Sequence, residues 1–411
     1  MKRGDLSTAE GLGSRGLAAE GLRPKGLTGR LLVKIDPRAE LGSVLKGLKG
    51  VVLERLRVAV IEEVSAAEVR KMATMKGSSF VAVEAERVIR KLAAKDGGAL
   101  PFVDSRVASW GIQAVNVLRS GYTGKGVKLA VLDTGFDFGH PDFAGRTIHR
   151  RSFVGRQAFD KDGHGTHCAG IAAGGVSMKV GAAKESAGAG SAKAGKGKAG
   201  VRYGVAPGSR LYIAKILDDN GEGSDGVALA AIEWALEKGC KVISMSFGAE
   251  PEESYSVLFE SVAQTVLAQG SLLIGATGNE SKRGRMAPVN HPANCPSVLA
   301  VGALTAGMKV AEFSCGGAAN FGRGGVGGGA GAGQVDLVAP GDQILSAKIG
   351  GGTAVDSGTS MAAPFVAGVA ALLWEQYPEA SAWEIWARLV QQARRLGLPA
   401  SAVGAGLVVA G

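Results

Sequence analysis

Apolar and polar positions along the chain fall into two regimes. From residue 107 onward, short and nearly continuous apolar runs alternate with longer stretches of helical character. The runs at 127–132, 211–217, 242–247, 272–276, 298–301 and 335–338 predict strands. The stretches at 166–173, 225–238, 254–269, 359–376 and 382–395 predict helices. Strands that are apolar on both faces, alternating with helices, argue for an α/β fold with a parallel sheet covered on both sides. Sites in such folds lie beyond the carboxyl ends of the strands. Asp133 closes one of the predicted strands and Asn279 lies just past another.

Before residue 107 the pattern changes. Residues 31–92 read as a small α+β unit: a strand at 31–35, a helix at 39–48, one or two strands within 51–62, a helix at 65–75 and a strand at 80–84. The second helix opens with a capping box, Ser65 to Glu68. A β-α-β-β-α-β order predicts a ferredoxin-like plait. Residues 93–106 contain Gly97, Gly98 and Pro101 and read as a linker. Residues 1–30 repeat Gly-Leu every five positions, a period of neither helix nor strand, and predict a disordered tail. The remaining residues, 107–411, form the main domain.

The net charge of +10 suggests a nucleic-acid partner until its distribution is seen. Residues 1–30 carry six bases against three acids, and residues 176–202 carry six against one. These two low-complexity stretches hold most of the excess, and no basic helix or basic-aromatic face stands out. A disordered basic insertion at 176–202 is therefore expected, and no nucleic-acid partner. The four cysteines are too few for a disulfide framework in so long a chain, and no CxxC spacing suggests zinc. No apolar run reaches the length of a membrane span. The N-terminus lacks the apolar core of a signal peptide, which points to a cytoplasmic location or unconventional export.

Candidate chemistry lies in three short stretches: Asp133-Thr134-Gly135, His164-Gly165-Thr166-His167, and Gly358-Thr359-Ser360-Met361-Ala362-Ala363-Pro364. They offer a carboxylate, an imidazole and a hydroxyl, the groups that make a serine nucleophilic near neutral pH. Alone, each has a simpler reading: a strand-end turn, a packed or metal-binding histidine, a helix cap. Together, in this order, they resemble the subtilisin-like serine proteases from about residue 107 to 395.

The resemblance implies a serine endopeptidase that hydrolyses peptide bonds through an acyl-enzyme. Ser360 would be the nucleophile, His164 the base and then the acid, and Asp133 its orienting partner. Asn279 in the Ala276-Thr277-Gly278-Asn279 segment and the Ser360 amide would form the oxyanion hole. Gly221-Glu222-Gly223 and Ser246-Phe247-Gly248 resemble the edges that pair with an extended substrate. Ala276, Thr277 and Gly278 would wall the first specificity pocket, with Asn290 near its floor. Glu222, Asp225 and Glu280 would ring the cleft with negative charge and favour basic or polar residues near the cut. His167 is expected to be structural, and Cys168 a small buried hydrophobe; the alternative is a thiol close enough to His164 to make the enzyme sensitive to thiol reagents.

Residues 31–92 resemble the propeptide of this family, which templates folding and then plugs the active site as an intramolecular inhibitor. Self-cleavage is expected within 93–106. Partners are thus polypeptide substrates and the chain's own propeptide, and a monomer is expected. The family is mostly exported. No cofactor is required by this chemistry. Calcium is the one metal to consider: Asp142 in His140-Pro141-Asp142 matches a family ligand, but Arg106 stands where an oxygen ligand belongs. Phe365 replaces a His common after Pro364. Residues 190–197 only approximate a phosphate-binding loop, and the Gly324–Gly333 stretch reads as a flexible insertion. Two other readings remain open at this level: a subtilase-shaped protein without turnover, and a nucleic-acid-associated protein using its basic loops.

Overall fold

The computed structural model describes residues 26–39, 49–62, 80–92, 104–177, 200–251, 255–282, 284–317 and 333–411. Four strands come first: β1 (Leu27–Ile35), β2 (Lys49–Leu53), β3 (Val58–Glu62) and β4 (Phe80–Lys91). They pair antiparallel in the order β4-β1-β3-β2. The helices expected at 39–48 and 65–75 fall almost wholly outside the described residues, as do most of the 93–106 linker and the 176–202 insertion.

Two N-terminal expectations need correction. The tail was expected to reach residue 30, but β1 already begins at Leu27, because Arg30 is drawn into a buried ion pair. The strand expected to stop at Glu84 continues to Lys91. Its second half is too charged to read as a strand because its partners lie on the main domain.

That domain is a seven-stranded, all-parallel sheet in the order β13-β12-β11-β9-β5-β7-β6. In chain order its first elements are α1 (Trp110–Ala114), β5 (Lys128–Asp133), β6 (His149–Ser152), α2 (His164–Ala173) and β7 (Arg210–Lys215). Next come β8 (Glu222–Ser224), α3 (Asp225–Glu237), β9 (Val242–Met245), β10 (Phe247–Gly248), α4 (Val257–Ala268) and β11 (Leu272–Ala276). The chain ends with β12 (Leu299–Leu304), β13 (Leu337–Pro340), the hairpin β14 (Ile344–Ala347) and β15 (Thr353–Asp356), α5 (Thr359–Gln376), α6 (Ala382–Gln392) and α7 (Ala400–Val403). The expected strand at 335–338 is shifted to 337–340, and the 242–247 run is split in two where Ser246 turns toward the cleft.

The α/β expectation holds. One core joins the sheet to α2 and α5, which is apolar all round and buried as far as Trp374. A second core joins the other face to α3 and α4, and it extends into Leu32, Leu53, Val58 and Val60 of the first sheet. The N-terminal unit thus shares apolar packing with the two helices that flank the cleft.

Polar contacts complete this junction. Glu86 is fully buried, and its carboxylate accepts from Gly226 N at 2.7 Å, in the first turn of α3. Arg30 pairs with the same carboxylate at 2.7 and 3.0 Å and donates to Ser224 Oγ at 3.0 Å. Glu84 accepts from Leu258 N at 2.8 Å at the start of α4. Carboxylates at helix N-termini satisfy donors that have no partner within the helix. Glu86→Gln in a Ser360→Ala background leaves the buried Arg30 without its counter-charge. Denaturant titration should show a loss of about 3–5 kcal/mol, against about 1 kcal/mol for Ser224→Ala.

Candidate active site

β5 delivers Asp133 to the carboxyl end of the sheet, where it is 1% exposed. Gly163, at φ +104°, turns the chain into α2, whose first residue is His164. The first turn of α2 lies hard against the turn after β5. A Cβ on Gly165 would come within 2.3 Å of the Gly135 carbonyl oxygen and 3.1 Å of Asp133 Cβ. Glycine between the two histidines is therefore what lets the elements approach. His164 Nδ1 donates to Asp133 Oδ1 at 2.7 Å. A carboxylate can only accept, so this bond places the proton on Nδ1 and leaves Nε2 as the basic nitrogen.

Asp160 ties the two elements together. It accepts from Thr134 Oγ1 (2.9 Å), Gly163 N (2.8 Å), Thr166 N (2.8 Å) and Thr166 Oγ1 (2.7 Å). Thr134 Oγ1 in turn accepts from Gly165 N at 2.9 Å. Lys215 donates to the Thr134 carbonyl from the other side. The sequence reading passed over Asp160, although a carboxylate a few residues before a helix start is a recognisable capping signal.

Ser360 lies in the first turn of α5 and is fully buried. Its carbonyl is held by Ser246 Oγ at 2.9 Å and touched by Cys168 Sγ at 3.4 Å. The same sulfur lies 3.9 Å from His164 Nδ1, so Cys168 bridges the His164 and Ser360 elements. The Ser360 hydroxyl is 3.1 Å from the Ser246 carbonyl oxygen and 3.4 Å from the Leu92 carbonyl oxygen. It makes no hydrogen bond to His164 Nε2, which is buried without a hydrogen-bond partner among the described residues. With the Leu92 carbonyl in the site, the hydroxyl is oriented toward carbonyl acceptors.

Asn279 Oδ1 accepts from Thr359 N at 2.9 Å and Thr359 Oγ1 at 3.0 Å, which fixes its amide beside the start of α5. Its Nδ2 lies 3.1 Å from where a Cβ on Gly358 would be, so a side chain there would crowd the amide.

The cleft is filled by β4. It runs antiparallel between β8 and β10, pairing Val88, Ile89 and Arg90 with Ser224, Gly223 and Glu222 on one side. On the other side Lys91 and Arg90 pair with Phe247 and Gly248, and Lys91 N donates to Gly221 O at 3.0 Å. Leu92 follows, 4% exposed. Its Cδ2 is 3.5 Å from the position of a Cβ on Gly248, where Asn290 Cβ also approaches. Ala276 belongs to the same apolar cluster as Leu92. Asn290 N donates to Thr277 O at 2.8 Å, and its Nδ2 lies 2.7 Å from a Cβ position on Gly278.

The expected ring of acids is only partly right. Glu222 pairs with Arg90 at 2.9 Å, and Asp225 lies 3.7 Å from Arg87. Glu280 instead accepts from Asn279 N at 2.7 Å and Asn290 Nδ2 at 3.0 Å, so its charge is spent inside the loop. Asp162, which the sequence reading did not single out, takes the Lys91 ammonium.

The other titrating groups are structural. Burial and the neighbouring His164 push His167 down to about 4, and its Nε2 bonds the Ile344 and Ala354 carbonyls at 3.1 and 3.3 Å. Burial pushes the Cys168 thiol up to about 11. All four cysteines are buried and free. Asp142, the calcium candidate, accepts from the Tyr203 hydroxyl at 2.8 Å. Among the described residues Asp142 belongs to no group of three or more acids, histidines or cysteines spaced to hold a metal ion. The described group with metal-like spacing is Asp133, His164 and Cys168, whose carboxylate and imidazole are already bound to each other.

Residues 124–406 match the model of the subtilase family. The chain belongs to the subtilases. It is 34% identical to subtilisin of Bacillus pumilus over 289 residues, covering 70% of this chain and 90% of the relative. It is 36% identical to a thermostable alkaline protease of Halalkalibacterium halodurans over 312 residues, 75% of this chain and 73% of the relative. It is 33% identical to subtilisin E of Bacillus subtilis, over 70% of this chain and 65% of the relative. The subtilase fold and serine endopeptidase activity expected from the sequence are thereby supported.

Burial alone would lower the His164 pKa, but the Asp133 charge and hydrogen bond outweigh it and hold the imidazole well above its ordinary value. NMR titration of the Ser360→Ala protein should therefore place His164 above 6.5. Asp133→Asn, which removes the charge, should move it to lower pH.

Proposed function

We propose that this subtilase works through Asp133, His164 and Ser360, and that its first substrate is its own chain at the bond after Leu92. The observation that carries the reading is the Leu92 carbonyl oxygen, 3.4 Å from Ser360 Oγ at the end of a strand paired on both edges. The contact brings the nucleophile's hydroxyl to the carbonyl group whose carbon it would attack.

Ser360 Oγ turns toward His164 and gives its proton to Nε2 as it bonds to the Leu92 carbonyl carbon. Asp133 stabilises the imidazolium that forms. The oxyanion is met by Asn279 Nδ2 and the Ser360 N–H, whose donors are fixed before the reaction begins. Collapse breaks the C–N bond, and His164 Nε2 returns the proton to the leaving amine. Water then hydrolyses the ester by the same route in reverse roles. Only protein groups take part, so no cofactor is needed. Residues 31–92 act as the propeptide, with β4 left in the cleft as inhibitor, and the unit to be expected in solution is a monomer. Among the described residues no helix is long and apolar enough to cross a membrane.

For a base held above its ordinary pKa, activity should fall as pH drops through that value, since protonated His164 cannot accept. Intact-mass analysis of the purified wild type should show a chain beginning at residue 93 and a separate N-terminal piece. Ser360→Ala should stay full length. A cut elsewhere, or processing unchanged by Ser360→Ala, overturns the reading. Asn279→Ala should lower kcat by about 10²–10³ with a small change in KM, the size found on removing the corresponding donor in subtilisin itself.

A further inference from the structure

The end of β4 carries two bases, Arg90 and Lys91, and each meets an acid of the main domain. Lys91 immediately precedes Leu92, and its ammonium pairs with Asp162 Oδ2. Asp162 is held from behind, since its Oδ1 accepts from His164 N at 3.2 Å. It is 14% exposed, and Lys91 is 31% exposed. The two face a cavity of about 310 Å³ that His164, Ile349, Val355 and Asp356 also line. One residue earlier, Arg90 sits in register with Glu222 and pairs with it at 2.9 Å. That pair is open to water, at 56% and 39% exposure. Ile89, by contrast, is fully buried in the apolar core shared with α3 and α4.

We propose that Asp162 is a specificity-determining residue that selects polypeptides with a basic residue immediately before the residue at the cut, and that Glu222 adds a weaker preference for a second base one position earlier. This rests on the reading that β4 occupies the cleft as a substrate does. The substrate class is an extended segment of the form apolar–basic–basic–apolar, cut after the last residue, as in Ile89-Arg90-Lys91-Leu92.

The physical basis is asymmetric. The Asp162 carboxylate has lost much of its water and is locked by a backbone bond, so a neutral residue there leaves it poorly compensated and an acidic one adds repulsion. Glu222 and Arg90 stay hydrated, and an exposed pair of this kind contributes little. The position nearer the cut should therefore dominate. Side-chain length also matters: the ammonium reaches Asp162 only at the end of a lysine-sized stem, so a short polar residue should not substitute.

The test uses quenched fluorescent peptides built on residues 86–96, with Lys, Ala or Glu at the Lys91 position and Arg or Ala at the Arg90 position. Self-processed full-chain protein is titrated with a fluorophosphonate, so that kcat/KM refers to active enzyme. Lys over Ala should be favoured about 10-fold to 100-fold, a difference of about 1.4–2.8 kcal/mol, and Lys over Glu by more. Arg over Ala at the earlier position should give about threefold, as befits an exposed pair.

In Asp162→Asn, which keeps an oxygen for His164 N, the Lys-to-Ala ratio should fall to within about threefold of one whatever the overall rate. Asp162→Lys should invert the order and favour Glu. Glu222→Gln should remove the smaller preference alone. Equal cleavage of all peptides by the wild type, or a Lys preference unchanged in Asp162→Asn, overturns this inference while leaving the protease reading intact. Failure of the wild type to label with fluorophosphonate, or to cut any peptide after the leucine, overturns the reading beneath it.

Discussion

Backbone pairing of β4 with both β8 and β10 is the constraint on which the rest depends. Either cleft edge alone is two or three residues long and too short to be stable in isolation. With β4 between them they become a three-stranded sheet whose pairing sets the register of Val88 to Lys91, the residues that lead to Leu92. Register then decides the chemistry. A slip of one residue would turn the Leu92 side chain away from Gly248 and carry its carbonyl away from Ser360. Nothing in the site itself measures this distance. It is set by main-chain geometry from both sides.

The same strand links two layers of energetics. Its first half belongs to the N-terminal sheet, whose apolar residues share a core with α3 and α4. Its middle carries Glu84 and Glu86, which satisfy donors at the starts of those helices. Asp225 joins the two systems: burial would raise its pKa, but His291 and Arg87 hold it below the ordinary value. An ionised acid at the first residue of α3 thus meets the strand on one side and the loop after Asn290 on the other. Charge and apolar burial act over the same few residues, which is why the docked strand is so well fixed.

The parallel sheet was legible because its strands are buried on both faces and read as unbroken apolar runs, Leu272–Ala276 being one. The three motif stretches were legible because they are long and ordered, and Gly165 shows the packing they carry, since a Cβ there would meet the Gly135 carbonyl oxygen at 2.3 Å. The second half of β4 was not. Glu86, Arg87, Arg90 and Lys91 look like a solvated segment, and only partners 71 to 140 residues away show that they are not. Asp160 and Asp162 were missed for a related reason. A carboxylate beside a helix start is usually a cap, and both are caps; what sequence cannot show is that Asp160 also reaches Thr134 and Asp162 also reaches Lys91.

The shortness of the two cleft edges has a consequence of its own. On the reading proposed above, loss of β4 would leave β8 and β10 as a slot open to any chain that can enter fully stretched and unaccompanied. A polypeptide already paired in a helix or sheet of its own cannot offer both of its edges at once. Such a slot would read conformation before it reads side chains, and would spare well-folded proteins wherever they do not fray.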